Sequence, residues 1–148
     1  MTTKPYASAL VVEGGALRGI HTAGVMDVLM RYNIYLPLVI GVSAGALNTY
    51  NYIAHQKGRS AKILLEYIRD SRYLDLKAIP RQNQSAFDFD FMFHGLQEFL
   101  PFDEETFRNG GQEFVVVATD VETGEPVYFA KARAATFSKR VLLPQACL

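Results

Sequence analysis

The stretch that decides the fold is Gly41-Val42-Ser43-Ala44-Gly45, which follows the apolar residues 36–40 and precedes a helical pattern. A buried strand that enters Gly-x-Ser-x-Gly and continues as a helix is the pattern of a nucleophile elbow. Such a turn holds the serine hydroxyl out of its own helix, where it can attack a bound group. Gly41 and Gly45 permit tight backbone angles and leave room where neighbouring elements crowd the bend. Ser43 is therefore the candidate nucleophile, with Gly41 and Gly45 supporting it.

The composition favours one folded, cytoplasmic domain over residues 1–148. Hydrophobic residues make up 49% of the chain, which is enough for a sizeable core. The formal net charge is zero, so nothing indicates a nucleic-acid partner. A single cysteine, Cys147, excludes an internal disulfide and fits a reducing compartment. The first apolar run, residues 8–12, is too short for a signal peptide or a membrane span.

A second glycine-rich turn lies near the start of the chain. Residues 9–12 are uniformly apolar and predict a strand that is buried on both faces. Glu13-Gly14-Gly15-Ala16-Leu17-Arg18-Gly19 follows directly, and a helix comes after it until about Asn33. Four apolar residues of that helix share one face and are predicted to point inward: Val25, Val28, Leu29 and Tyr32.

The remaining pattern alternates between helices and strands. It predicts a helix from the elbow to about His55, closed by Gly58, and an amphipathic helix over residues 60–76. The alternating phenylalanines of residues 87–93 suggest an extended segment, with a helix as an option just after them. Residues 114–118 predict a buried strand, and residues 126–129 a hairpin strand after a turn. This order is typical of an α/β fold with a parallel sheet and helices on its faces.

The first glycine turn could supply the N–H donors that a nucleophile at the elbow requires. Acyl transfer passes through an oxyanion that needs preorganised N–H donors. The amides of Gly15 and Ala16, at the start of a helix, are candidates for this role, together with Ala44 after the serine. Arg18 could steady this loop or attract an anionic headgroup. A nucleotide-binding α/β domain is disfavoured, since the chain lacks both a P-loop lysine and Gly-x-Gly-x-x-Gly.

These two turns, in this order, resemble the motifs of the patatin-like phospholipase family. The resemblance covers about residues 8–130, and Ala118-Thr119-Asp120 with Thr123-Gly124 is similar to a segment of the bacterial members. It implies a three-layer α/β/α sandwich with a mainly parallel sheet. It also implies hydrolysis of phospholipids or similar acyl esters without a cofactor or metal, and peripheral contact with a membrane.

The resemblance also implies a role for each matching residue. Gly14, Gly15, Ala16 and Arg18, with Gly19 in support, correspond to the loop that forms the family's oxyanion hole. Ser43 corresponds to the nucleophile of a Ser-Asp dyad. Ala16 stands where the family has a third glycine, which is a mild departure because its N–H remains available.

The catalytic base is the larger departure from the family pattern. The family's base is the aspartate of an Asp-Gly motif, and no Asp-Gly dipeptide occurs in this sequence. Asp120 follows a predicted strand, but a turn-capping role fits it better. The only histidines after Ser43 are His55 and His94, so a Ser-Asp-His triad is disfavoured.

The last residues form an atypical tail. Residues 131–148 contain four basic residues, no acidic residue and no clear hydrophobic period. We interpret the chain as a C-terminally truncated member whose Asp-Gly motif is missing, which would leave it weak or inactive alone. The alternative for the tail is a short basic helix that touches anionic lipid. The alternative for the whole chain is a catalytically inactive remnant or a lipid-binding module on the same fold.

Overall fold

The computed structural model describes residues 8–75, 87–88, 90–120 and 122–131. Four strands form one sheet in the order β1-β2-β3-β4: Ala9–Val12, Leu38–Val42, Glu113–Thr119 and Pro126–Ala130. The first three strands run parallel, and β4 pairs antiparallel with β3 as the predicted hairpin. The mainly parallel α/β fold expected from the sequence is confirmed.

Five α-helices lie among the described residues. They are α1 (Gly19–Arg31), α2 (Ala44–Ile53), α3 (Arg59–Glu66), α4 (Leu96–Phe99) and α5 (Glu104–Asn109). Short 3-10 segments at Ala16–Arg18 and Tyr67–Arg69 adjoin α1 and α3. The helix predicted over residues 60–76 is therefore shorter than expected. Residues 76–86, Phe89 and residues 132–148, which make up the predicted atypical tail apart from Lys131, lie outside the described part of the chain.

The core lies between one face of the sheet and α1, α2 and α5. Val12, Val39, Phe114 and Val116 point to that face, which Met26 of α1 and Phe107 of α5 help to cover. The opposite face is open in the described residues, and Val11 there is 69% exposed. The prediction that β1 is buried on both faces is therefore wrong, because β1 lies at the edge of the described sheet and Val11 is exposed on one face.

Helix α1 turns a different stripe toward the core than the sequence predicted. Its buried residues are Gly19, Ala23, Met26 and Met30. Val25, Val28 and Tyr32 are exposed, and Leu29 is only partly buried. The small residues at the start of the buried stripe let α1 approach α2 closely, while the methionines adapt to the remaining space. Asn33 ends this helix as predicted, in a left-handed conformation with φ of 52°.

Two further local expectations need correction. His55, with φ of 56°, takes the left-handed position after α2, and Gly58 instead caps the start of α3. Phe91–Gly95 forms a π-helical turn that continues into α4, so an extended segment there is wrong and the helical option is right. The cause is local, since the Asp88 carboxylate accepts a 2.9 Å hydrogen bond from the Phe91 N–H and caps the turn.

Candidate functional site

Ser43 sits at the junction of β2 and α2, in a conformation that L-residues rarely adopt. Its φ is 51° and its ψ is −125°, close to the first central position of a type II′ turn, where glycine dominates. The residue is exposed, and its side chain makes no capping hydrogen bond to α2. The turn thus presents the hydroxyl to solvent at the carboxyl edge of the parallel strands.

The two glycines of the elbow are required by packing. A Cβ on Gly41 would lie 2.6 Å from Ala46 Cα and 2.7 Å from Thr49 Oγ1, both on α2. A Cβ on Gly45 would collide with Glu13 O, and it would lie 2.6 Å from Val12 O. Real Cβ atoms do not approach backbone this closely, so only glycine lets α2 pack on the ends of β1 and β2.

The first glycine turn lies directly beside Ser43. A Cβ on Gly14 would lie 3.1 Å from Ser43 Cβ and 3.7 Å from Ser43 Oγ. The chain then forms a 3-10 turn over Ala16–Arg18, in which the Arg18 N–H donates to Gly15 O at 2.9 Å. Gly15, Ala16 and Arg18 are exposed. The structure therefore brings the two predicted turns together at one edge of the sheet.

Ala16 has a left-handed backbone, with φ of 45°. Such a conformation costs an alanine about 1 kcal/mol or more, whereas glycine adopts it freely. The sequence departure at this position is therefore accommodated with strain in the loop.

Asn48 joins the two turns, and the sequence analysis missed it. It is 4% exposed, and its Nδ2 donates a buried 2.8 Å hydrogen bond to Gly19 O, which ends the glycine loop. A Cβ on Gly19 would lie 3.0 Å from Asn48 Nδ2 and 3.3 Å from Ala44 Cβ. The sequence signal was weak, because Asn48 is one of several polar residues on the buried side of α2.

Asp120 caps the β3–β4 turn, as expected from the sequence. Its Oδ1 accepts 2.9 Å hydrogen bonds from the N–H groups of Thr123 and Glu122. These bonds, with that from Thr123 the stronger influence, hold the pKa of Asp120 below its ordinary value. A carboxylate stabilised in this way is a weak proton acceptor.

Within the described ranges, no histidine or carboxylate side chain is hydrogen-bonded to Ser43 Oγ. Asp90 faces His94 at 3.0 Å on an exposed helical turn, and Asp103 caps α5. These carboxylates have local structural partners.

An open surface pocket of about 570 Å³ lies away from Ser43, at the turn between α2 and α3 and the start of α3. Its lining includes Lys57, Arg59 and Lys62, and none of the residues of the two glycine turns. It is therefore separate from the Ser43 site.

Among the helices of the described residues, none is both long and apolar enough to cross a membrane.

Comparison with known proteins identifies the class that this fold and site define. The family described as patatin-like phospholipase matches residues 10–145, and the chain belongs to that family. A relative is the uncharacterized protein YjjU of Escherichia coli (strain K12), which is 32% identical over 131 residues. The match covers 85% of this chain and 36% of YjjU, so the chain spans about a third of that relative's length.

Proposed function

We propose that this chain carries the nucleophile and oxyanion loop of a serine hydrolase that cleaves acyl esters of lipids. The observation that carries the proposal is the backbone of Ser43, a strained and exposed non-glycine residue. Its hydroxyl caps no helix, so local structure does not explain why a serine occupies a position that favours glycine. Strain of this kind concentrates at functional sites.

The reaction follows from the arrangement of the two turns. Ser43 Oγ attacks the ester carbonyl carbon, and the carbonyl electron pair moves onto oxygen to give a tetrahedral oxyanion. The amides of Gly15 and Ala16, and that of Ala44 at the start of α2, are the proposed donors to this oxyanion. Its collapse expels the alcohol and leaves an acyl-serine, which water then hydrolyses to the fatty acid and free Ser43.

In this scheme, the aspartate that the family resemblance implies accepts the proton of Ser43 Oγ and gives it to the departing alcohol oxygen. The same aspartate passes a proton from the attacking water to Ser43 Oγ when the acyl-serine is hydrolysed. The described residues supply no aspartate bonded to Ser43, and a general base contributes about 10²–10⁴-fold to such reactions. We therefore expect weak turnover from this chain and a measurable but slow covalent reaction of Ser43.

The substrate class is a lipid ester at an interface. Leu17 is 40% exposed and Arg18 is exposed, and both lie on the loop beside Ser43. An apolar side chain next to a cation suits contact with acyl chains and an anionic headgroup. Peripheral membrane contact and a cytoplasmic location stay predictions.

An alkyl fluorophosphonate tests the nucleophile. We expect intact mass spectrometry of the wild-type chain to show one adduct that peptide mapping places on Ser43. Ser43→Ala should abolish it, and Ser71→Ala, which removes another exposed serine, should leave it unchanged. Equal adduct in Ser43→Ala, or no adduct on the folded wild-type chain, would contradict the proposal.

Because the described residues place no proton acceptor at Ser43, a lipid-binding module without catalysis is a second candidate function. This candidate predicts that phospholipid vesicles bind wild type and Ser43→Ala equally, while the wild-type chain gives no adduct. Labelling of Ser43 decides against it.

A further inference from the structure

Helix α2 carries two buried asparagines with different partners. Asn48 is 4% exposed and donates from Nδ2 to Gly19 O at 2.8 Å, a contact across 29 residues. Asn51 is 5% exposed and donates to Ser60 Oγ at 2.9 Å, while its Oδ1 accepts from Arg59 at 2.7 Å. One asparagine therefore holds the glycine loop, and the other holds α3.

The glycine loop is seated against the elbow at both of its ends. At its start, the missing side chain of Gly14 lets the backbone lie against Ser43. At its end, Gly19 is buried against Ala44 and Asn48. Between these two points, Gly15 and Ala16 are exposed. The position of their amides relative to Ser43 thus depends on the two end contacts.

The contact at Gly19 is the polar one, and it is directional. The Asn48 amide is an obligate donor toward a carbonyl in a buried setting, where hydrogen bonds are hard to replace by water. The start of the loop follows directly on β1, whose last ladder pair joins Val12 to Gly41, and Gly14 meets Ser43 there by van der Waals contact. A change at Asn48 should therefore free the Gly19 end of the loop to shift without unfolding α2.

We infer that Asn48 is a positioning residue, which fixes the distance from the loop amides to Ser43 by holding Gly19 on the first turns of α2. The expected effect of Asn48 on catalysis rests on the proposed function. The claim that Asn48 sets the position of the Gly19 end of the loop does not depend on that function.

The test compares Asn48→Ala with Asn51→Ala in the full chain. Saturation kinetics with an alkyl fluorophosphonate separate kinact, which needs the loop amides, from KI, which reports probe binding. We expect Asn48→Ala to lower kinact about tenfold or more with KI within about twofold, since small misplacements of catalytic groups have effects of this size. Asn51→Ala should leave kinact within about twofold, even where its unfolding midpoint falls as much or more.

A carboxyl variant supplies a rescue that a purely structural role does not predict. In Asn48→Asp, the protonated carboxyl can donate to Gly19 O, whereas the carboxylate repels it. Burial raises the pKa of such a carboxyl, so protonation should be accessible between about pH 8 and pH 5. The kinact of this variant relative to wild type should rise as the pH falls, while the same ratio for Asn48→Ala stays flat.

Amide chemical shifts give a readout that needs no chemistry. Asn48→Ala should move the Gly14 and Gly15 amide resonances, which Asn48 does not touch, and Asn51→Ala should not. Unchanged shifts together with wild-type kinact in Asn48→Ala would overturn the inference. If the wild-type chain forms no adduct but the Gly14 and Gly15 shifts still move, the proposed function fails and the positioning of the loop by Asn48 holds.

Discussion

The two strand-to-helix turns of this protein look alike in sequence and differ in packing. The elbow at Gly41–Gly45 is closed in, because a Cβ at either glycine would lie within 3 Å of three neighbouring atoms. The loop at Gly14–Gly19 is open in its middle, where a Cβ on Gly15 would meet only Arg18 Cβ at 3.6 Å. One turn thus fixes a hydroxyl rigidly, whereas the other keeps backbone amides accessible and can be adjusted.

The largest expected change in the free energy of unfolding comes from Gly45→Ala in the elbow. Alanine normally stabilises a helix relative to glycine, but here its Cβ would collide with Glu13 O and force α2 away from β1. We expect the free energy of unfolding to fall by about 3 kcal/mol, as for severe overpacking. Urea unfolding followed by circular dichroism measures this loss.

The matched control for that substitution is Gly24→Ala in α1. Gly24 is exposed, and a Cβ there would meet nothing within 4 Å. The same change should therefore raise the free energy of unfolding by about 0.5–1 kcal/mol. If Gly45→Ala were as stable as wild type, the elbow would not be tightly packed, and the two turns would not differ in packing.

A smaller effect is expected from removing the strain at Ser43. Ser43→Ala keeps a Cβ at φ of 51° and should unfold like wild type, since the hydroxyl makes no cap. Ser43→Gly relieves the strain and should be more stable than Ser43→Ala by about 1 kcal/mol, after the entropy cost of glycine is subtracted.

Thermal or urea unfolding of both variants checks this difference. The same pair at Ser71, whose φ is not positive, should reverse the order, so that alanine is the more stable variant. A Ser43→Ala chain that is more stable than Ser43→Gly would show that the elbow stores no backbone strain.

The elbow was predictable because its information is local. The spacing of Gly41, Ser43 and Gly45 after an apolar run decides both the backbone of the turn and the approach of α2. The inward face of α1 was not predictable in the same way. Val25 and Met26 belong to two stripes that both satisfy the helical period, and the close contact of Gly19 with α2 decides for the stripe of Met26.

Asn48 shows a second limit of sequence-based prediction. Its partner, Gly19 O, is a backbone atom 29 residues away, and a carbonyl leaves no mark in the sequence. The prediction of an extended segment at the alternating phenylalanines was wrong for another reason. The alternating pattern was overridden by one local cap, the bond from the Phe91 N–H to Asp88. In this aromatic segment, a short-range polar contact therefore decided the conformation against the hydrophobic period.

The smallest expected effect, Ala16→Gly, tests the open turn. Ala16 is exposed at φ of 45°, so glycine removes a strain of about 1–2 kcal/mol but costs about 0.4–1 kcal/mol of chain entropy. We expect a gain in the free energy of unfolding below about 1 kcal/mol, measured by urea titration.

Ala61→Gly, the same substitution inside α3, should instead lower the free energy of unfolding by about 1 kcal/mol. A matching loss at Ala16 would mean that the loop is as closely packed as the elbow. Labelling of Ser43 at an unchanged or higher rate in Ala16→Gly would show that the methyl group is tolerated because the amide, not the side chain, faces the reaction.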